Sequence, residues 1–198
     1  KPLVDQISAR LDREPSLLGY TKLPPGKCGI PSDFFGATPS AAEKALIDKY
    51  PVQDCVTEQV GRTSNNKSAS LTGHPVFIST LKQIYSSAKS QSWWEKHVAE
   101  KGNDPICFKS PYRSIEKQIY LRMGNCGHRS FEEVMSAPTK PVCKPPTARP
   151  GKSRHNLGLA IDFGGTIGAS FTSEAHKWLI TQGLRGNSTY AIKNYQPY

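Results

Sequence analysis

His155 and Asp162 stand seven residues apart in the stretch Ser153-Arg154-His155-Asn156-Leu157-Gly158-Leu159-Ala160-Ile161-Asp162. An imidazole nitrogen and a carboxylate oxygen together make a donor pair suited to Zn²⁺. Gly158 lets the backbone turn tightly or approach a neighbour closely. Leu159-Ala160-Ile161 reads as a short buried strand that carries Asp162 into a site. An isolated His and Asp at this spacing are as readily a buried structural hydrogen bond. The whole pattern, Ser-x-His-x-x-Gly-x-Ala-x-Asp, is far more specific.

The pattern resembles that of the zinc D-Ala-D-Ala carboxypeptidases and their endopeptidase relatives, the VanY-like peptidases that cut peptidoglycan stem peptides. The Hedgehog signalling domain shares their fold. The resemblance extends upstream to Ser110-Pro111-Tyr112-Arg113-Ser114, followed by Glu116-Lys117-Gln118, and to Pro150-Gly151 before the motif. It covers roughly residues 74–198. It implies one zinc ion with His155 and Asp162 as ligands. It also implies that Arg113 holds a substrate carboxylate by a two-pronged hydrogen bond that lysine could not reproduce. Ser153 or Ser114 would add a hydrogen bond. In such a site the metal lowers the pKa of a bound water towards ~7 and polarises the scissile carbonyl. A carboxylate then moves the proton to the leaving amine. The relatives take that Glu, and a third His ligand, from a Glu/Trp/His segment after the final strand. The sequence stops at Tyr198, where that segment is due, so a truncated chain without its base is expected.

The other histidines do not fill the gap. Glu174 and His176, two apart on an expected helix, point in different directions and read as a solvated face. Trp93-Trp94-Glu95-Lys96-His97 precedes Arg113, against the family's order, which makes His97 an ordinary helix residue. His128 lies near Cys126 but lacks further ligands at useful spacing. His74 precedes a proline and reads as a turn residue.

The positioning elements follow from local signals. A short helix is expected near Val4–Leu11 within a Pro/Gly-rich stretch over 1–39. Ser40 and Glu43 form a capping box for a helix to Tyr50. Residues 60–73, polar and including Gly-Arg-Thr-Ser-Asn-Asn-Lys-Ser, read as a linker or surface loop. Pro75 opens a helix to about Lys89, and Trp93-Trp94 continue it or begin another. Ile106-Cys107-Phe108 reads as a strand delivering Arg113. Ser114 caps a helix to about Met123, and Ser130 with Glu133 makes a second capping box. Residues 138–152 hold five prolines and form an irregular approach to the motif. Leu159–Phe163 is a strand, Thr172 or Ser173 opens a helix ending at Gly183, and Tyr190–Ile192 is a last strand. The class is α+β, a small antiparallel sheet with helices packed on one side.

The 198 residues allow one domain or one with an appendage, and 36 % apolar residues allow a modest core. We divide them into an N-terminal extension, 1–73, for binding, docking or packing, and a peptidase domain, 74–198. No apolar run reaches membrane-spanning length. Lys1 carries no initiator Met or signal-peptide pattern, which fits a processed chain or a fragment. The net charge of +10 attracts polyanions. The charge is dispersed and no nucleic-acid motif accompanies it; the family resemblance of the zinc motif is what implies a stem peptide and anionic cell-wall polymers as partners. Nucleic acid is the weakest reading. The five cysteines, none in a Cys-x-x-Cys pair, fit one or two disulfides with one left free or paired outside the chain, and an extracytoplasmic location. Five buried free thiols are the other reading. A phage lysin or virion component is an alternative source. The alternative function is a non-catalytic wall-binding or virion structural protein that keeps the fold.

Overall fold

Short polar side chains start several of the helices in this chain, and glycines or prolines mark where they stop. The computed structural model describes residues 2–110, 112–139, 142–165 and 172–181. In chain order the elements are α1 (Pro2–Arg13), a 3₁₀ turn (Pro15–Leu18), β1 (Lys27–Cys28), α2 (Ala41–Lys49), β2 (Gln53–Asp54), β3 (Val56–Arg62), β4 (Ser68–Gly73), α3 (Pro75–Lys89), α4 (Ser92–Lys101), β5 (Cys107–Ser110), α5 (Ile115–Cys126), α6 (Phe131–Ser136), a second 3₁₀ turn (Arg154–Leu157), β6 (Asp162–Gly164) and α7 (Glu174–Thr181). The class is α+β. The elements form two compact units, neither continuous in sequence. The chain passes between them after Gln53, after Tyr112 and after Leu157.

The first unit holds residues up to 53 together with 113–157. In α1, Val4, Ile7 and Leu11 recur at helical spacing and are buried. That face packs on α5, where Ile119 is fully buried. The Ser8 hydroxyl donates to Glu116 Oε1 at 2.9 Å, and the Arg10 guanidinium lies 4.0 Å from the Phe131 ring centroid. Both capping boxes form as expected. Ser40 accepts from the Glu43 N–H at the start of α2, Ser130 accepts from the Glu133 N–H at the start of α6, and each glutamate bonds back to its cap's backbone. Ser114 caps α5, which ends at Gly127 in the left-handed region, φ +72°.

The second unit holds residues 54–112 and the chain from Gly158. Its four-stranded sheet has the order β4-β3-β5-β6. The pairs β3–β4 and β5–β6 are antiparallel, but β3 runs parallel to β5 through Arg62 and Cys107. The sheet is therefore mixed, not antiparallel throughout. α3 and α4 lie between β3 and β5 in the chain, and a connection of that length can return a strand in the parallel sense. The expected linker over 60–73 is instead half of a hairpin. Its strands alternate small buried residues, Val60, Ala69 and Leu71, with polar exposed ones, and Asn66 turns the chain at φ +60°. The expected strand over Leu159–Phe163 shrinks to Asp162–Gly164, with Leu159, Ala160 and Ile161 buried but irregular. The expected helix end at Gly183 and the strand Tyr190–Ile192 lie outside the described residues.

α3 packs across β3 and β4, burying Phe77, Ile78, Leu81 and Ile84. Tyr85 meets Trp94 at 5.3 Å and Phe108 at 5.9 Å, and Phe108 meets Phe163 at 5.6 Å. Gly61 is what lets these rings reach the sheet. It has φ +63°, and a Cβ there would stand 2.6 Å from the Tyr85 ring and 2.7 Å from that of Phe108. Gly61→Ala combines left-handed strain of about 1–2 kcal/mol with overpacking of about 1–3 kcal/mol. It should lower the urea midpoint accordingly. An unchanged midpoint would show that the rings yield without cost.

Candidate metal and substrate-binding residues

In the first unit, the segments flagged separately in the sequence are joined by backbone chemistry. The Arg113 N–H donates to the His155 carbonyl at 3.0 Å. Asn156, the next residue, donates from Nδ2 to the Arg113 carbonyl at 2.7 Å and the Ser114 carbonyl at 3.3 Å. Its Oδ1 accepts from the Gly151 N–H at 3.2 Å. One buried amide thus ties the Tyr-Arg-Ser segment to the Pro150-Gly151 approach and to the 3₁₀ turn that carries His155. Gly151 has φ +76°, and a Cβ there would lie 2.8 Å from Leu18 Cδ2. The Arg113 guanidinium is half-buried, and its Nη1 donates to Gln118 Oε1 at 3.0 Å. Gln118 is itself buried and donates to the Ala148 carbonyl at 2.6 Å. A fork aimed this way has limited freedom, which suits recognition of a planar carboxylate.

Asn156 and Gln118 were missed as positioning residues. Asn156 occupies an unspecified place in the motif. Gln118 was quoted without a role, although its distance of five residues from Arg113 would have allowed contact across a helix N-terminus. Ser153 and His155 are buried. The Ser114 hydroxyl is engaged at the start of α5, where it accepts from the Lys117 N–H at 3.2 Å. Arg154 is buried with its guanidinium 5.2 Å from the Phe34 centroid and 5.4 Å from that of Phe35. Burial lowers its pKa to about 10, against the attraction of Glu43.

In the second unit, Gly158 has φ +68°, which favours glycine. Its carbonyl accepts from the His74 N–H at 3.0 Å. A Cβ on Gly73 would stand 2.9 Å from that oxygen, so both roles expected of Gly158, turn and close approach, are met. His74 is fully buried and caps α3, its Nδ1 accepting from the Val76 N–H at 3.3 Å. Asp162 opens β6 as an exposed residue between buried Ile161 and Phe163. It lies in register with Ser110 of β5, three residues before Arg113 in sequence. Its accessible carboxylate is a donor of a type zinc accepts.

His97 sits on α4, its Nε2 3.2 Å from Asn103 Oδ1, as an ordinary helix residue would. His176 differs from expectation. It is buried, because Ala175, His176 and Leu179 share the inner face of α7 while Glu174 remains exposed. Desolvation lowers its pKa from 6.5. A base with a depressed folded-state pKa contributes stability above its unfolded value and loses it as the pH falls below that value, because the unfolded chain binds the proton. His176→Gln should therefore flatten the loss of thermal stability below pH 6.5. A pH profile parallel to wild type would reject this assignment.

A second constellation contradicts the dismissal of His128. Cys143 supplies the partner that spacing did not reveal. Donor atoms of Cys126, His128 and Cys143 lie within 4.8 Å of one another, a grouping that could hold a metal ion once both sulfurs are thiolates. Here Cys126 and Cys143 are joined in a disulfide. Cys28 and Cys55 are also disulfide-bonded, while Cys107 is the free, buried thiol. The expectation of disulfides with one odd cysteine is met. No helix among the described residues is long and apolar enough to cross a membrane. Comparisons with protein-family models, curated proteins and solved structures returned no match.

Proposed function

We propose that the chain is a zinc-dependent peptidoglycan peptidase of the D-Ala-D-Ala carboxypeptidase type, with the fold of that family, acting outside the cytoplasm. It would hydrolyse a stem-peptide amide next to a D-amino acid. His155 and Asp162 would hold the ion, which would acidify a bound water and polarise the scissile carbonyl. Arg113, braced by Gln118, would take the substrate carboxylate and align the amide. The reading assigns no third ligand and no general base among the described residues.

The observation that supports this reading most is the hydrogen bond from the Arg113 N–H to the His155 carbonyl. The two residues lie far apart in sequence and were assigned to one active site by motif alone. The disulfides are compatible with an oxidising, extracytoplasmic setting. The high net positive charge favours adsorption to anionic wall polymers.

The test is metal removal. Full-length protein, with any residues encoded beyond Tyr198, should release an amino acid or peptide from a synthetic stem peptide ending in D-Ala-D-Ala. A zinc chelator should stop the release and added Zn²⁺ should restore it. Hydrolysis indifferent to chelation would overturn the metal role. Wall binding without zinc or hydrolysis would favour a non-catalytic wall-binding protein instead.

A further inference from the structure

The C-terminal end of α5 faces a proline-rich loop that α5 holds by hydrogen bonds. Arg122 is fully buried and donates from Nε to the Val134 carbonyl at 2.7 Å and from Nη1 to the Thr147 carbonyl at 2.6 Å. Further bonds reach the Ala137 carbonyl and Thr139 Oγ1. The Asn125 carbonyl accepts from the Lys144 N–H at 2.8 Å, and Asn125 Nδ2 donates to Thr147 Oγ1 at 2.8 Å. None of these bonds uses the disulfide. The loop therefore has an attachment to α5 besides the disulfide.

His128 completes the arrangement. It is buried, and its Nε2 has no hydrogen-bond partner among the described residues. An unsatisfied buried nitrogen is a cost that a ligand can remove. Arg122 Nη1 lies 3.9 Å from Cys143 Sγ, and a nearby guanidinium favours thiolate over thiol. Two thiolates and an imidazole form a set for Zn²⁺, whose tetrahedral bonds of about 2.1–2.3 Å place such donors about 3.5–3.8 Å apart. The His128 ring nitrogen is within 4.8 Å of both sulfurs, and the sulfurs, bonded to each other here, part to that spacing on reduction.

We propose that reduction of the Cys126–Cys143 disulfide converts this corner of the first unit into a zinc site with Cys126, His128 and Cys143 as ligands, the fourth position being left to water. The reductant is a small dithiol or two monothiols. It supplies two electrons and two protons, the S–S bond breaks to two thiols, and the reductant becomes a disulfide. On metal binding each thiol gives its proton to solvent and forms one S–Zn bond. This site is separate from the proposed catalytic ion at His155 and Asp162. It makes the loop's state depend on redox conditions, with a covalent staple in one and a metal clasp in the other.

The test uses Co²⁺ as a spectroscopic probe, in His155→Ala protein so that the proposed catalytic ion does not contribute. After anaerobic reduction, one equivalent of Co²⁺ should give thiolate-to-cobalt charge-transfer absorption, abolished by Zn²⁺. The oxidised protein should give none. Cys143→Ser should remove the signal, and Cys107→Ser should leave it intact. Losing even an outer partner of a ligand costs about 10- to 100-fold in metal affinity, so His128→Gln should cost at least that. Absence of the signal in reduced protein would overturn the proposal, as would a signal unaffected by Cys143→Ser or His128→Gln. Unfolding on reduction, read by far-ultraviolet circular dichroism, would overturn it equally, because the loop would then not hold without its staple.

Discussion

Replacing His155 by alanine should cost the protein its zinc and lower hydrolysis of a D-Ala-D-Ala stem peptide by at least ~10³-fold, the equivalent of about 4 kcal/mol of transition-state stabilisation lost with the metal. The hydrogen bond that joins this residue to Arg113 uses its backbone carbonyl, so alanine retains it. The backbone tie to Arg113 thus survives, and a thermal melt of the variant separates lost packing of the buried ring from lost metal. Asp162→Ala should behave likewise in activity and metal content. Its side chain is exposed at the edge of β6, where substitutions usually change stability by no more than about 0.5 kcal/mol. Full activity with bound zinc in either variant would remove the assigned role. Arg113→Ala should chiefly raise KM, and an unchanged kcat/KM would reject it as the carboxylate receptor.

Arg122→Ala should produce the largest loss of stability. The guanidinium satisfies the carbonyls of Val134, Ala137 and Thr147, all held around a side chain with no solvent exposure. Each carbonyl stranded by its removal costs about 1–3 kcal/mol unless water enters. Because the Thr147 carbonyl keeps the Thr139 hydroxyl as a donor, a total toward the low end of that sum, about 3–5 kcal/mol, is expected, a large fraction of the stability of an ordinary domain. Lysine should rescue little, because one ammonium cannot address several acceptors as a planar fork does. Urea unfolding of the oxidised protein measures the effect without changing the disulfide. A midpoint within experimental error of wild type would show that the loop is held by the cystine alone.

The parts of the fold legible in the sequence were those set by neighbouring residues. Ser40 with Glu43, Ser130 with Glu133, Pro75 and Ser114 each mark a helix start within one turn, and each helix begins there. The hairpin of β3 and β4 was not legible, because its buried apolar residues Val60, Ala69 and Leu71 are set in a polar run and α3 supplies the rest of their burial. His176 was legible in principle. Its spacing to Leu179 and adjacency to Ala175 mark one face, whereas pairing it with Glu174 drew attention to the other. His128 was not legible as part of a cluster. Its partner Cys143 lies within the proline-rich stretch 138–152, and the contact depends on Arg122 gathering that stretch onto α5. For the proposed zinc site, residue types and order were visible in the motif, while the bracing of Arg113 by Gln118 and of the turn by Asn156 emerged only from three dimensions.

The threading of the chain has a consequence for how this protein can diversify. Each unit is assembled from separated stretches, with passages after Gln53, Tyr112 and Leu157. Neither can be shuffled between genes as a clean cassette, since any contiguous stretch that holds all of one unit also carries part of the other. Novelty must therefore arrive by substitution or by insertion at surface turns, and the two units are bound to be inherited together.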